Sequence, residues 1–252
     1  MDTFDAIVIG AGEAGVEVAN RAVKAGKRVA LVYRAPFGST CLNAGCVPSK
    51  FLIHRARIAH VVRSAGRFHI DAALSRVRLG DIVREMDTLI DADRTAALEA
   101  ATEAERLTLI EGSARFLSRE VVLVGARRLH ARRIFIAVGL RPLIPEELKH
   151  DSPRVLTSET VMHLAEAPEH LVIVGGGYIA CELGQAYQRF GSRVTIVQRA
   201  NHLVPREEPD VSSILERVFQ SQGIDVLRGF RPSSLDVHDD GVRIIARGAT
   251  GV

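Results

Sequence analysis

The sequence predicts an α/β protein built from two Rossmann-like dinucleotide-binding units, with a small antiparallel β insertion in the first and a second unit incomplete at its C-terminus. Three observations predict it. An apolar strand, a glycine turn, a helix, a glycine and a second strand follow one another in FDAIVIGAGEAGVEVANRAVKAGKRVALVY. The same order recurs in HLVIVGGGYIACELGQAYQRFGSRVTIVQR. Between the two, the pattern shifts to short β-type runs.

Each element has a local reason. FDAIVIG is a short β-branched run stopped by glycine; EAGVEVANRAVKAG then carries Val16, Ala19 and Val23 at helical spacing until Gly26 ends it, and RVALVY closes a βαβ unit. After the stretch TCLNAGCVPSK, Phe51 to Val62 is helical in pattern, with a start near Pro48. From Gly80 to about Ala101, Ile82, Met86, Leu89, Ile90 and Ala97 draw an apolar stripe on a helix with a charged opposite face. LTLIEG, ARFL and EVVLVG read as the antiparallel insertion, and RRIFIAVG as a return to the sheet. LRPLIPEELKHDSPR holds three prolines among charges, so the domain boundary is placed there: 1–150 as the first domain, 151–252 as the second. In the second, Val211, Ile214, Leu215 and Val218 mark a helix, with IDVLRG and VRIIARG as later strands. Further parallel strands, which such a sheet calls for, do not follow.

Composition narrows the function classes. With 47% hydrophobic residues the chain can bury a core or two. Lys plus Arg 33 against Asp plus Glu 30 leaves a net charge of +3, not gathered into a basic run, which argues against nucleic acid. The N-terminus carries acids where a signal peptide carries cations, and charges interrupt every apolar stretch well short of the roughly 20 residues of a membrane span. A soluble, cytoplasmic protein without a membrane partner is expected. Three cysteines are too few for a secreted disulfide framework.

In Gly10-Ala-Gly12-Glu-Ala-Gly15, a tight turn lets a pyrophosphate reach the free amides of the helix. Gly12 permits the approach and Gly15 the packing of helix on strand. Gly175, Gly177 and Ala180 repeat the pattern, with alanine in the third place. The residue closing each second strand then faces the ribose. In the second unit that residue is Gln198, followed by Arg199 and later Arg206; a neutral side chain with two guanidiniums suits a 2′-phosphate, favouring NADPH with NADH possible. In the first unit it is Tyr33, where a carboxylate would accept from two hydroxyls.

Cys41 and Cys46 admit three readings. Zinc needs further ligands, and His54 and His60 stand at the wrong spacing on an apolar helix, so no metal is expected. Buried inert thiols are the default for isolated cysteines, but Asn43, Gly45 and Pro48 surround these with turn and helix-start residues. A disulfide closing a short loop at a helix N-terminus remains, and its chemistry suits the place: the helix dipole and Lys50 both favour a thiolate at Cys46. Cys181, inside the second helix, reads as a packed structural thiol.

GAGEAG, STCLNAGCVPSK, AVGLRP (137–142) and GGGYIACE (175–182), in that order, resemble the class I pyridine nucleotide-disulfide oxidoreductases, the family of glutathione reductase, dihydrolipoyl dehydrogenase and mercuric reductase. The resemblance implies FAD in the first domain, NAD(P)H in the second, and hydride flow from nicotinamide through flavin to a redox-active Cys41–Cys46 disulfide, then to a small-molecule, disulfide, metal-ion or quinone acceptor. It implies that Cys46 faces the flavin, that Cys41 exchanges with substrate, that Lys50 and Glu182 pair near the flavin, and that Tyr178 covers it. Gly10, Gly12, Gly15, Tyr33, Thr40 and Gly139 fall at its FAD-binding positions; Gly175, Gly177, Arg199 and Arg206 fall at its NAD(P) positions. Tyr33, Ser39 and Val138 depart from the usual Glu, Gly and Thr. The family's homodimer-interface domain, with its His/Glu base, lies beyond the stretch matched. Two alternatives accompany this expectation: a catalytically inactive nucleotide-binding fragment, and a thiol redox sensor that uses only Cys41 and Cys46.

Overall fold

The computed structural model describes residues 1–248. A two-residue strand, β1 (Asp2–Thr3), precedes the first apolar run, β2 (Ala6–Ile9), whose four residues are all buried. Burial on both faces explains why that run does not alternate. After the glycine turn come α1 (Glu13–Lys24) and β3 (Val29–Tyr33). Glu13 in the first turn of α1 and Arg21 and Lys24 in its last place charge where the helix dipole favours it.

The cysteine segment folds as two helices, α2 (Thr40–Ala44) and α3 (Cys46–Arg63), separated by Gly45. Helix α3 thus starts two residues before the expected Pro48. A proline in the first turn is tolerated there because that turn's N–H groups have no intrahelical acceptor. Next follow α4 (Leu79–Glu103), β4 (Leu107–Glu111), β5 (Ala114–Phe116), β6 (Val121–Val124), β7 (Arg127–His130) and β8 (Ile134–Ile136). The rest comprises β9 (His170–Val174), α5 (Tyr178–Phe190), β10 (Arg193–Gln198), α6 (Pro209–Ser221), β11 (Ile224–Arg228), β12 (Phe230–Val237) and β13 (Val242–Gly248).

The chain divides into two compact units. The first joins Met1–Pro48 to Asp87–Arg141. Its parallel sheet runs β4-β3-β2-β8, so the LTLIE run is a strand of this sheet rather than part of the insertion; Leu107 to Glu111 pair in register with Val29 to Tyr33. The antiparallel layer is β5-β6-β7, extended by β1, which pairs parallel with β7. The period of two divides β2 between two cores. Ile7 and Ile9 pack with Val32, Ile110, Val122 and Leu129, while Val8 packs with Ala19, Val29 and Leu31. Each such fully buried side chain contributes about 1.5–3 kcal/mol.

The second unit joins Ser49–Met86 to the stretch from Pro142 onward. Its sheet runs β11-β10-β9, all parallel, and β12 and β13 form a separate antiparallel pair with an irregularity between Pro232 and Ser234. Tyr187 on α5 is fully buried and its hydroxyl donates to the Val161 carbonyl. On α6 only Leu215 of the expected stripe turns inward, half-buried. Val211, Ile214 and Val218 are exposed, whereas Ser212 and Phe219 are each 1% exposed, one helical heptad apart.

Candidate active site

In the first unit, Gly10 follows β2 at φ +110°. A Cβ there would lie 2.2 Å from the Ala137 carbonyl oxygen, and one on Gly15 would lie 1.8 Å from the Gly10 carbonyl oxygen. Both glycines are therefore demanded by the protein's own packing. Gly12, the residue before α1, is different: a Cβ would meet nothing within 4 Å, so the space before the helix N-terminus is open to a ligand, where free amides and the dipole favour an anion. The residues present fit a pyrophosphate.

Tyr33 ends β3 and stands in register with Glu111 at the end of β4; its hydroxyl donates to Glu111 Oε2 at 3.4 Å. Burial, then the Glu111 charge and hydrogen bond, push the Tyr33 phenol above its usual value. Glu111 is exposed and was not among the sequence-derived candidates. Its signal is visible only once LTLIE is assigned to the parallel sheet beside RVALVY, which sets a carboxylate next to Tyr33, at the strand end where the sequence lacks one. Gly139, also assigned to this site, is exposed and follows β8 at φ +66°.

The cysteine helices are pinned by their neighbours. Ser39, 8% exposed, accepts from the Leu42 amide at 3.1 Å as the N-cap of α2, and donates to Glu13 Oε1 at 2.8 Å. Asn43 donates to the Phe37 and Ser39 carbonyls at 3.1 and 3.2 Å and accepts from Arg94 Nε at 2.9 Å. Thr40, in the first turn of α2, is exposed. Cys41 is half-buried and Cys46 exposed, and both stand as thiols. Cys41 is pushed above its usual pKa, first by a hydrogen bond with Cys46, then by burial, with a smaller contribution from the Glu13 charge.

In the second unit, Lys50, one turn into α3, donates to both Glu182 oxygens, at 2.9 and 2.8 Å. With side chains 59% and 33% exposed, such a pair contributes roughly 0–1 kcal/mol, so stability is not its main consequence. The second turn repeats the first: the Gly175 amide donates to the Val197 carbonyl at 2.8 Å, as the Gly10 amide does to Val32 at 2.7 Å. Gly175 has φ +98°, and Cβ atoms on Gly175 or Gly177 would meet nothing within 4 Å. The residues here also fit a dinucleotide. Gly176, a residue the motif leaves unspecified, is closed instead: a Cβ would lie 2.7 Å from Leu203 Cδ2. Tyr178 begins α5 and is 70% exposed. Gln198 is buried and donates to the His202 carbonyl at 3.3 Å, whereas Arg199 and Arg206 are exposed, with no carboxylate partner among the described residues. Cys181 is buried, which pushes its thiol up to about 11, the Glu182 charge adding to the shift.

Among the described residues, no group of three or more His, Cys, Asp and Glu is arranged to hold a metal ion, and no helix is long and apolar enough to cross a membrane.

A family-wide sequence profile, described as pyridine nucleotide-disulphide oxidoreductase, matches residues 4–250. The mercuric reductase of Lysinibacillus sphaericus is 32% identical over 228 residues, 90% of this chain and 42% of its own length. The dihydrolipoyl dehydrogenase of Chlamydia muridarum is 32% identical over 254 residues, 98% of this chain and 54% of its own. The solved HOCl-induced flavoprotein disulfide reductase RclA from Escherichia coli superposes with a TM-score of 0.84 at 28% identity, across 97% of this chain and 53% of that one. The chain thus spans about half the length of the relatives it matches.

Proposed function

The chain belongs to the pyridine nucleotide-disulphide oxidoreductase family, and from that premise we propose that it serves an FAD-dependent enzyme passing two electrons from NADPH to a Cys41–Cys46 disulfide and on to an acceptor. The observation that carries this reading is the hydrogen bond between Cys41 and Cys46 across the α2/α3 junction, because thiols in such contact are poised to form a disulfide. When bound, FAD and the nicotinamide supply hydride transfer and a two-electron relay.

The chain's own residues hold, orient and exchange. Gly12 leaves the first helix N-terminus open to a pyrophosphate, and Glu111, steadied by Tyr33, would accept from a ribose hydroxyl of a nucleotide bound there. Gly175 and Gly177 would leave the same opening for the second nucleotide, and Arg199 and Arg206 would hold its 2′-phosphate. Lys50, its charge oriented by Glu182, would stabilise negative charge developing on a bound cofactor, and Tyr178, exposed at the start of α5, would shield it until nicotinamide enters. Two electrons and two protons convert the disulfide to two thiols. Cys41, as thiolate, then attacks one sulfur of a disulfide acceptor and expels the other as a thiol; Cys46 breaks the resulting mixed disulfide, re-forming Cys41–Cys46 and releasing the second thiol. Since Cys41 is held above its usual pKa, exchange through it accelerates as pH rises. A metal ion or a quinone is an alternative small-molecule acceptor, and the homodimer common to the family is the assembly we expect.

An anaerobic NADPH titration tests the reading. Flavin absorbance is expected to bleach while two thiols appear, and Cys46→Ser abolishes their appearance. NADPH is expected to outcompete NADH about tenfold, an advantage lost in Arg199→Gln/Arg206→Gln. A protein that cannot be reconstituted with FAD would sink the proposal.

A further inference from the structure

At the C-terminal ends of α3 and α5, cations gather with no carboxylate paired to them among the described residues. Arg57, His60 and Arg63 follow at three-residue steps in the last two turns of α3, and Ser64 and Arg67 come directly after it, Arg67 in a short 3-10 turn (Ala65–Phe68). His60, Arg63, Ser64, Gly66 and Arg67 line a cavity of about 400 Å³. From α5, Arg189 brings a further guanidinium: its carbonyl accepts from Arg63, and its Nε is buried with no hydrogen-bond partner. Neither Arg57, Arg63, Arg67 nor Arg189 has a carboxylate partner among the described residues, whereas Arg55, on the same helix, is paired with Glu85.

Basic residues at a helix C-terminus balance its dipole, and part of the cluster does so: Arg63 donates to the Arg189 carbonyl, and Ser64 Oγ to the His60 carbonyl at 2.8 Å. That leaves the Arg189 Nε, Arg67 and His60 unspent. The local field is strongly positive, since His60 is pushed below its usual pKa by burial and then by Arg189, Arg67 and Arg63, with no acid opposing them. Arg189 is lowered likewise, by burial and then by Arg57. A cavity lined by His60, Arg63 and Arg67, with the Arg189 charge acting on it from α5, is a site suited to an oxyanion.

We infer that this cavity is an oxyanion site that takes a phosphate group, free or carried as a phosphomonoester on a small molecule, and thereby braces α3 against α5. It is separate from the Lys50–Glu182 pair, which joins the same two helices about 20 Å nearer the start of α3 at 1.5 Å per residue.

The test titrates the whole chain with inorganic phosphate and, separately, with glycerol 3-phosphate, at an ionic strength held constant with sodium chloride. Heat of binding and the NMR titration of the His60 imidazole are followed. Saturable binding is expected, with the His60 midpoint rising as the anion offsets Arg63, Arg67 and Arg189. Tighter binding of inorganic phosphate identifies the free ion as the ligand; tighter binding of the ester identifies a carried phosphate. Arg67→Gln, whose side chain holds no other element, is expected to weaken binding about tenfold, and Arg63→Gln at least as much. Arg21→Gln on α1 is expected to change nothing. Unchanged affinity in Arg67→Gln, or an equal His60 shift with chloride alone, overturns the proposal.

Discussion

The two glycine turns share one motif and one hydrogen bond from turn to strand, yet they are glycine-rich for different reasons. In the first, Gly10 and Gly15 are required by contact with each other and with Ala137, the residue after β8. In the second, the corresponding Gly175 has open space about it, the third glycine is already an alanine (Ala180), and the close contact has moved to Gly176 against Leu203. The same letters thus record steric crowding at the first and third places of one turn and, in the other, a first glycine held by its φ of +98° alone. Only Gly12 and Gly177 are equivalent, each standing before its helix with nothing within 4 Å of a Cβ.

That contrast can be broken at several points. Gly15→Ala should be the most damaging, because the new methyl would sit 1.8 Å from a backbone oxygen that cannot yield cheaply. A loss of about 3 kcal/mol is expected in urea denaturation, and a loss below about 1 kcal/mol would refute the steric account. Next is the position after the third small residue, Val16 in the first helix and Cys181 in the second. Burial raises Cys181 to about 11 in the folded protein, so the unfolded chain releases its proton first. Stability is therefore whole below about pH 9 and falls as pH climbs toward 11, by on the order of 2 kcal/mol. Cys181→Val, copying the first helix, should flatten that decline. Third, Gly12→Ala and Gly177→Ala should each leave the urea midpoint nearly unchanged while weakening the dinucleotide at their own turn about tenfold, measurable by fluorescence titration. The smallest effect belongs to Ala180→Gly, which installs the first turn's residue in the second and should cost about 1 kcal/mol of helix propensity without altering nucleotide affinity.

What the sequence made legible was local. Both βαβ units could be read because glycine spacing and apolar periodicity lie within one short window, and the cysteine segment because its turn residues adjoin it. Features that depend on distant partners were not legible. LTLIE is apolar whichever sheet it joins, and only its pairing with β3 brings Glu111 beside Tyr33. Strand β12 escaped notice because its partner, β13, supplies the pattern that FRPSSLDV lacks. On α6, the stripe of Val211, Ile214, Leu215 and Val218 gave the period correctly but the buried face only at Leu215, since Ser212 and Phe219 are what the unit encloses. The cavity beside His60 and Arg67 was not legible either, because the Arg189 guanidinium that adds charge there comes from α5, more than a hundred residues away.

Strand β2, four residues long and buried throughout, contributes alternate side chains to two cores. Its amides can meet solvent only when both layers open together, so they should be among the last in the first unit to exchange hydrogen for deuterium, at the free energy of global unfolding. Gly10, bonded to Val32 at the end of this strand, inherits that slowness. The first glycine turn is thereby fastened to the slowest-opening part of its unit, and its shape should persist through fluctuations that fray the chain elsewhere.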